Sequence, residues 1–251
     1  MGYLFKTVIV VIMVVIPGIN IIHGETLKSP GEILKASDIA RGSSNGLEWI
    51  IKIESVEKGK KKNNTLKLMA DKSNSLAEFI MPARVKGRKL LMRDRNMWFV
   101  KPGLSKPVPI SPRQKLLGSA SNGDIASTSY AGDYTITQFD DNGEFNNQPC
   151  FLFDLKAKNK KVTYDRIRYW VSKDKLVGIK ADFYTVSGKL FKSAQFEYDN
   201  SITVNGMVKP FVSKMVIKNK IFKDDITTMY YKNIKIKKIP DSTFNLNLLM
   251  R

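Results

Sequence analysis

The side chains that carry most enzymatic chemistry are scarce in this sequence. It holds a single histidine, His23, and a single cysteine, Cys150. A Ser-His-Asp triad, a Cys-His dyad and a histidine-bearing zinc or iron site all need an imidazole. His23 lies in a segment that reads as a removable leader, so none of these is expected. One thiol forms neither an intramolecular disulfide nor a cysteine metal cluster. Cys150, set in Pro149-Cys150-Phe151-Leu152-Phe153, reads as a small apolar core residue. The remaining acid–base candidates are the pairs Asp140-Asp141 and Asp224-Asp225. Both are expected in turns beside Asn or Lys, where adjacent carboxylates stay solvated. No catalytic residue, metal site or cofactor is therefore expected.

The leader follows from the first residues. Lys6 precedes the apolar run Val8 to Ile16, then Pro17-Gly18, with a small residue at Gly24. This is the order of a secretory signal peptide cleaved near Gly24. Such a run rises only about 14 Å as a helix, too little for a hydrocarbon core of about 30 Å. Residues 1–24 are thus expected to be a signal peptide and residues 25–251 one secreted domain. No cysteine stands near the cleavage site for lipid attachment. Lys and Arg number 42 against 23 Asp and Glu, a formal charge of +19. Nucleic-acid binding would gather that charge on one recognition element. Here the lysines recur along the chain on alternate strand positions, so no nucleic-acid partner is expected. An anionic partner, if any, would be phospholipid headgroups.

Residues 25–251 open with one helix. Ser29 fits the N-cap, Pro30 the first helical position, Glu32 the reciprocal capping partner and Gly42 the stop. From Leu47 the apolar period drops to two: Leu47, Trp49, Ile51 and Ile53 alternate with polar residues, then Leu66, Leu68 and Ala70. The alternation continues to Ile236, broken by turn pairs such as Asn142-Gly143, Ser187-Gly188 and Asn205-Gly206. About ten or eleven antiparallel strands are expected, mainly in hairpin succession. The period fails between Ser111 and Gly132. There Ser111-Pro112-Arg113-Gln114 reads as a second helix start, with Leu116 and Leu117 as its apolar face and Asn122-Gly123 as its stop. A further short turn would carry Ile125 and Tyr130. A long sheet with one apolar face must cover that face or close on itself. Pattern alone leaves two solutions open, a curled sheet around a hollow and a packed sandwich.

Three blocks of sequence go further. Phe79-Ile80-Met81-Pro82-Ala83-Arg84-Val85-Lys86-Gly87, with Leu90-Leu91 and Met97-Trp98-Phe99-Val100-Lys101-Pro102, resembles a strand, turn and aromatic strand of the LolA-like outer-membrane lipoprotein-sorting proteins. Pro109 to Ala126, running into Tyr130-Ala131-Gly132-Asp133-Tyr134, resembles that family's lid-bearing insert. Tyr164 to Val171 and Lys180 to Leu190 resemble the strand pair before its C-terminal meander. The order and spacing agree across nearly the whole secreted part. The resemblance implies a mainly β (α+β) fold, a curled antiparallel half-barrel with short helices forming a lid. It also implies periplasmic handling of the acyl chains of lipids or lipoproteins between inner and outer membranes. An inner-membrane transporter, an outer-membrane acceptor and transient membrane contact are the partners it implies. In the best-known members an arginine helps hold the lid closed. Arg84, Arg88 and Arg93 lie near, but none aligns well enough to be assigned.

The resulting expectation is an apolar cavity lined by Trp49, Ile51, Leu68, Phe79 and Trp98, beneath a lid carrying Leu116, Leu117 and Ile125. The alternative for each residue is ordinary core packing. At the level of function the alternative is an envelope sensor or accessory subunit of a lipid exporter that binds a protein partner. A carboxylate hydrolase is a third reading.

Overall fold

The structure is a computed structural model, which describes residues 28–42, 46–126, 129–204 and 206–250. The expected signal peptide, residues 1–24, lies outside the described residues. Helix α1 (Pro30–Ile39) begins as the sequence requires: the Ser29 hydroxyl accepts from the Glu32 backbone N–H, and the Glu32 carboxylate accepts from the Ser29 backbone N–H at 2.8 Å. Ile33, Leu34, Ser37 and Asp38 form its buried face.

Strands β1 (Leu47–Glu57), β2 (Lys60–Asp71), β3 (Asn74–Met81), β4 (Lys89–Arg93), β5 (Asn96–Val100) and β6 (Val108–Ile110) make one wing of the sheet. Next comes an insert made of β7 (Lys115–Leu117), β8 (Ala120–Ser121) and the one-turn helices α2 (Gly123–Ala126) and α3 (Tyr130–Asp133). The other wing holds β9 (Tyr134–Phe145), β10 (Gln148–Ala157), β11 (Arg166–Ser172), β12 (Gly178–Tyr184) and β13 (Leu190–Glu197). A separate hairpin, β14 (Asn200–Val204) and β15 (Met207–Phe211), precedes β16 (Lys214–Asn219) and β17 (Ile226–Ile236).

Thirteen of these strands form one antiparallel sheet in the order β6-β5-β4-β3-β2-β1-β17-β16-β13-β12-β11-β10-β9. The sheet is curled and does not close, because β6 and β9 remain its edges. Alternation sets which face is dry. Leu47, Trp49, Ile51 and Ile53 on β1 share the concave face with Leu66 and Leu68 on β2, Phe183 on β12 and Ile217 on β16. A smaller cluster, Leu76, Leu91, Ile239 and Phe244, lies on the opposite face under the C-terminal 3-10 turns.

The insert departs from expectation. Ser111-Pro112-Arg113-Gln114 makes a single turn, in which the Gln114 N–H donates to Ser111 O at 3.1 Å and the Gln114 side-chain oxygen accepts from the Ser111 N–H at 2.9 Å. The cap signal is thus spent on that turn, and Leu116 and Leu117 sit on or beside a hairpin instead of a helix. Gly118 takes φ +58° at the hairpin tip, where an added Cβ would fall 2.2 Å from Thr227 Oγ1. Two turn expectations also move. Asn142-Gly143 lies within β9 at a register shift, and the β9–β10 turn is Asn146-Asn147, both at positive φ. Asp140 and Asp141 are therefore exposed strand residues rather than turn residues. Between β1 and β2 only Lys58-Gly59 turns.

Gly178, at the start of β12, packs against the ring of Tyr169, and an added Cβ would fall 2.1 Å from Tyr169 Cζ. Tyr169 is fully buried between Tyr130 and Phe196 and has no room to yield. Gly178→Ala should cost about 1–3 kcal/mol by overpacking, read as a lowered urea midpoint. Gly31→Ala, which meets nothing within 4 Å, should leave that midpoint unchanged or raise it slightly.

Candidate functional site

The concave face is roofed by the insert, and the roof is attached by polar contacts. Helix α1 supplies the first of them. Asp38 and Arg41 follow its apolar face and are 2% and 6% exposed. Arg41 Nη2 lies 3.0 Å from Asp38 Oδ1, while Asp38 Oδ2 accepts from the Ala131 N–H of α3 at 2.7 Å. The guanidinium carbon of Arg41 stands 3.9 Å from the Tyr130 ring centre, a cation–π contact in a dry setting. Arg95, from the β4–β5 turn, forms an ion pair with Asp133, and Lys158 Nζ donates to Gly132 O at 3.0 Å. Four side chains from three elements thus converge on the single turn of α3.

A second group holds α2. Asp124 accepts from the Tyr164 hydroxyl at 2.7 Å and from the Ser121 N–H at 2.7 Å. Lys192 of β13 donates to the Ser121 hydroxyl at 2.8 Å. On the other wing the Ser75 hydroxyl of β3 donates to Ala126 O at 3.0 Å. The insert therefore bridges β3 and the segment before β11 across the open side of the sheet. Between insert and sheet runs a cleft of about 20 Å³, lined by Arg41, Asp124, Tyr130, Tyr134, Tyr164 and Tyr231 among others. That is room for about one water molecule.

Burial dominates the electrostatics. Desolvation outweighs Arg41 and the Ala131 N–H and pushes the Asp38 carboxyl up to about 6. It likewise raises Asp124, against the pull of Lys192 and the Ser121 N–H, and lowers the Lys192 ammonium, against the pull of Asp124. Desolvation also raises the hydroxyls of Tyr164 and Tyr169, so both stay neutral.

Four of the five residues expected to line a cavity do come together. Trp49, Ile51, Leu68 and Phe79 are buried in the concave core, with Trp49 edge-on to Phe211 at 6.3 Å. They border packed side chains rather than a vacant hollow. Trp98 is a correction: it packs with Leu76 and Leu91 on the opposite face, while its neighbour Phe99 meets the concave core. Ile125 is buried beneath α2, and Leu116 and Leu117 are half-buried against the same core. Arg84 and Arg93 are exposed, and Arg88 bonds Arg84 O. Among the described residues, Arg41 and Arg95 are the arginines that reach α3. Sequence reasoning missed both, along with Asp38 and Asp124. The available signal was Asp38-x-x-Arg41, a charged pair one turn apart on a face otherwise apolar. Neither acidic pair forms a site, because Asp225 is buried and accepts from the Lys58 N–H at 3.1 Å, while Asp224 is exposed. Among the described residues no group of three or more His, Cys, Asp or Glu could hold a metal ion.

A family model described as "Uncharacterized protein" matches residues 71–251. The chain belongs to that family. No curated protein matches it. Its fold is that of the LolA superfamily. A LolA superfamily protein of Nitrosomonas europaea superposes with TM-score 0.75 at 24% identity, covering 86% of this chain and 97% of that one. A putative outer membrane lipoprotein-sorting protein domain of Vibrio parahaemolyticus gives TM-score 0.73 at 17% identity, covering 88% and 98%. A DUF1329 family protein of Desulfovibrio piger gives 0.68 at 21%, covering 87% and 97%. The LolA-like sheet thus extends over most of the described chain, with Asp38 and Arg41 as the buried charged pair at its roof.

The raised Asp38 carboxyl has a definite pH signature. Its folded value of about 6 lies above the unfolded value near 3.9, so the folded state binds the proton first. The contribution to stability is fully present below about pH 4 and is lost as pH rises through about 6. Asp38→Asn should flatten this part of the profile in urea melts taken from pH 4 to 7. A wild-type profile already flat over that range would contradict the assignment.

Proposed function

We propose that this chain is a periplasmic carrier that shelters the acyl chains of lipids or lipoproteins beneath the insert and releases them toward the outer membrane. One observation carries the reading: an apolar concave face is covered by a short insert held through polar side-chain contacts instead of continuous strand pairing. Exposing a sixteen-carbon tail to water costs on the order of 12 kcal/mol at about 0.8 kcal/mol per methylene. A carrier must offset most of that and still let go.

In this reading the conformation described is the closed one. A cleft of about 20 Å³ holds no acyl chain; even an apolar cavity of about 150 Å³ takes only a benzene. Room arises when α3 lifts. Separating α3 from Asp38, Arg41, Arg95 and Lys158 exchanges polar contacts for hydrated ones, the Asp38–Ala131 bond being worth about 1.5–3 kcal/mol net and the exposed Lys158 contact less. The tail then replaces the apolar contacts made by Ile125 and Tyr130 against the sheet. Trp49, Ile51, Leu68 and Phe79 are the surface it would meet, with Phe99 in place of Trp98.

The likeness to the Vibrio outer membrane lipoprotein-sorting protein domain supports carriage of lipoproteins; an inner-membrane transporter as donor and an outer-membrane acceptor belong to the same proposal. Secretion through residues 1–24 belongs to the same reading, which includes no catalytic step. Removing the ties to α3 while leaving its apolar face intact tests it. Arg95→Gln with Lys158→Gln should raise the uptake of a fluorescent long-chain fatty acid several-fold over wild type, with an unchanged circular dichroism spectrum. No uptake by either protein would contradict the proposal.

A further inference from the structure

Three hairpin turns stand side by side at one end of the sheet, because their strands are neighbours in the order β2-β1-β17-β16-β13-β12. They are the β1–β2 turn at Lys58-Gly59, the β16–β17 turn over residues 220–225 and the β12–β13 turn over residues 185–189. At about 4.8 Å per strand they span roughly 24 Å. Two hydrogen bonds tie the row together: the Lys58 N–H donates to Asp225 Oδ1 at 3.1 Å, and the Lys220 N–H donates to Phe191 O at 2.9 Å.

The row shows water its largest apolar side chains. Phe222 is 56% exposed, Ile221 52% and Val186 81%. Ile221 and Phe222 are not loosely hung. Their N–H groups both donate to Asn219 Oδ1, at 2.8 and 3.0 Å, and Phe222 O accepts from the Asp225 N–H at 3.1 Å. The turn is thus fixed in a shape that holds both side chains outward. Around them stand exposed Lys58, Lys60, Lys189, Lys220 and Lys223, against one exposed acid in these turns, Asp224. At the other end of the same strands Asp71, Asp174 and Asp199 stand beside Lys72, Lys173 and Lys175, so those turns are charge-balanced while the row at this end carries an excess of lysine.

Projecting aromatic and aliphatic side chains within a ring of lysines suit a surface that is greasy inside and anionic at its boundary. We propose that this row of turns docks the protein on an anionic phospholipid bilayer, with Phe222 and Ile221 entering the acyl boundary and the lysines lying among the headgroup phosphates. The location matters for transfer. Lys115 pairs with Glu57 beside the β1–β2 turn, and the Ser119 N–H donates to Thr227 Oγ1 at 2.7 Å. The insert hairpin therefore lies directly behind the docking row. Docking does not depend on the cargo reading, although it supplies that reading with a place for exchange.

Co-sedimentation of the purified protein with vesicles of phosphatidylglycerol and phosphatidylcholine, and with pure phosphatidylcholine, separates the two questions. The protein should pellet with the anionic vesicles, and high salt should release it. Phe222→Asp with Ile221→Asp, and separately Lys220→Glu with Lys223→Glu, should each weaken pelleting roughly tenfold or more. All four positions are exposed, so the fold and any uptake of fluorescent fatty acid should be unchanged in both variants. Equal pelleting with neutral vesicles, or variants that pellet like wild type, would overturn the proposal. So would no vesicle binding together with a self-association, seen by gel filtration, that Phe222→Asp removes; the patch would then belong to a second copy. Lost docking with retained fatty-acid uptake, or the reverse, shows which of the two proposals fails.

Discussion

Everything in this molecule follows from one constraint: a thirteen-stranded sheet has one large continuous apolar face, and little chain lies outside the sheet to cover it. Curling brings the two wings toward each other and reduces the area left open. What remains is bridged by α1, the β14–β15 hairpin and the insert. Ser75 on one wing and Tyr164 on the other both hydrogen-bond the insert. Because the cover is short, each of its few apolar side chains counts, and the rest of its attachment is polar.

That polarity separates the roof from the sheet energetically. Strands β1 and β17 are joined over almost their whole length, so they open only with the global fold. The α3 turn is held by side chains whose charges regain hydration on opening. Burying the Asp38 carboxylate costs desolvation that Arg41 and the Ala131 N–H only partly offset, as its raised carboxyl reflects. A buried pair of this kind fixes the position of a segment without making it immovable. A core of leucines would hold the insert more tightly and leave it no reason to move.

Much of this was legible from sequence, and the failures have physical causes. The capping box of α1 is local chemistry and appeared as expected, as did the period-two strands and the LolA-like curl. The insert was misread because Ser-Pro opens either a helix or a single turn, and Gln114 reaching back to Ser111 decides for the turn. Trp98 was placed on the wrong face because β3, β4 and β5 carry apolar residues on both faces, Leu76 beside Ala77 and Leu90 beside Leu91. Alternation loses its meaning where the C-terminal turns also bury the outer side. The β9–β10 turn moved from Asn142-Gly143 to Asn146-Asn147 because the sheet absorbs Gly143 in a register shift. The Asp38–Arg41 pair left a local mark, but the contacts of Asp38 with Ala131, of Arg41 with Tyr130 and of Asp124 with Tyr164 join elements distant in sequence.

The central claim is that the roof opens as a unit while the sheet stays shut, and that hydrocarbon is what it admits. Amide hydrogen exchange with and without a long-chain fatty acid tests it most directly. The account predicts that the amides of Ser121, Ala131 and Gly132 exchange much faster than those of β1 and β17, and that the fatty acid shifts exchange in the insert alone. Insert and sheet amides exchanging at one common rate, indifferent to the fatty acid, would contradict it.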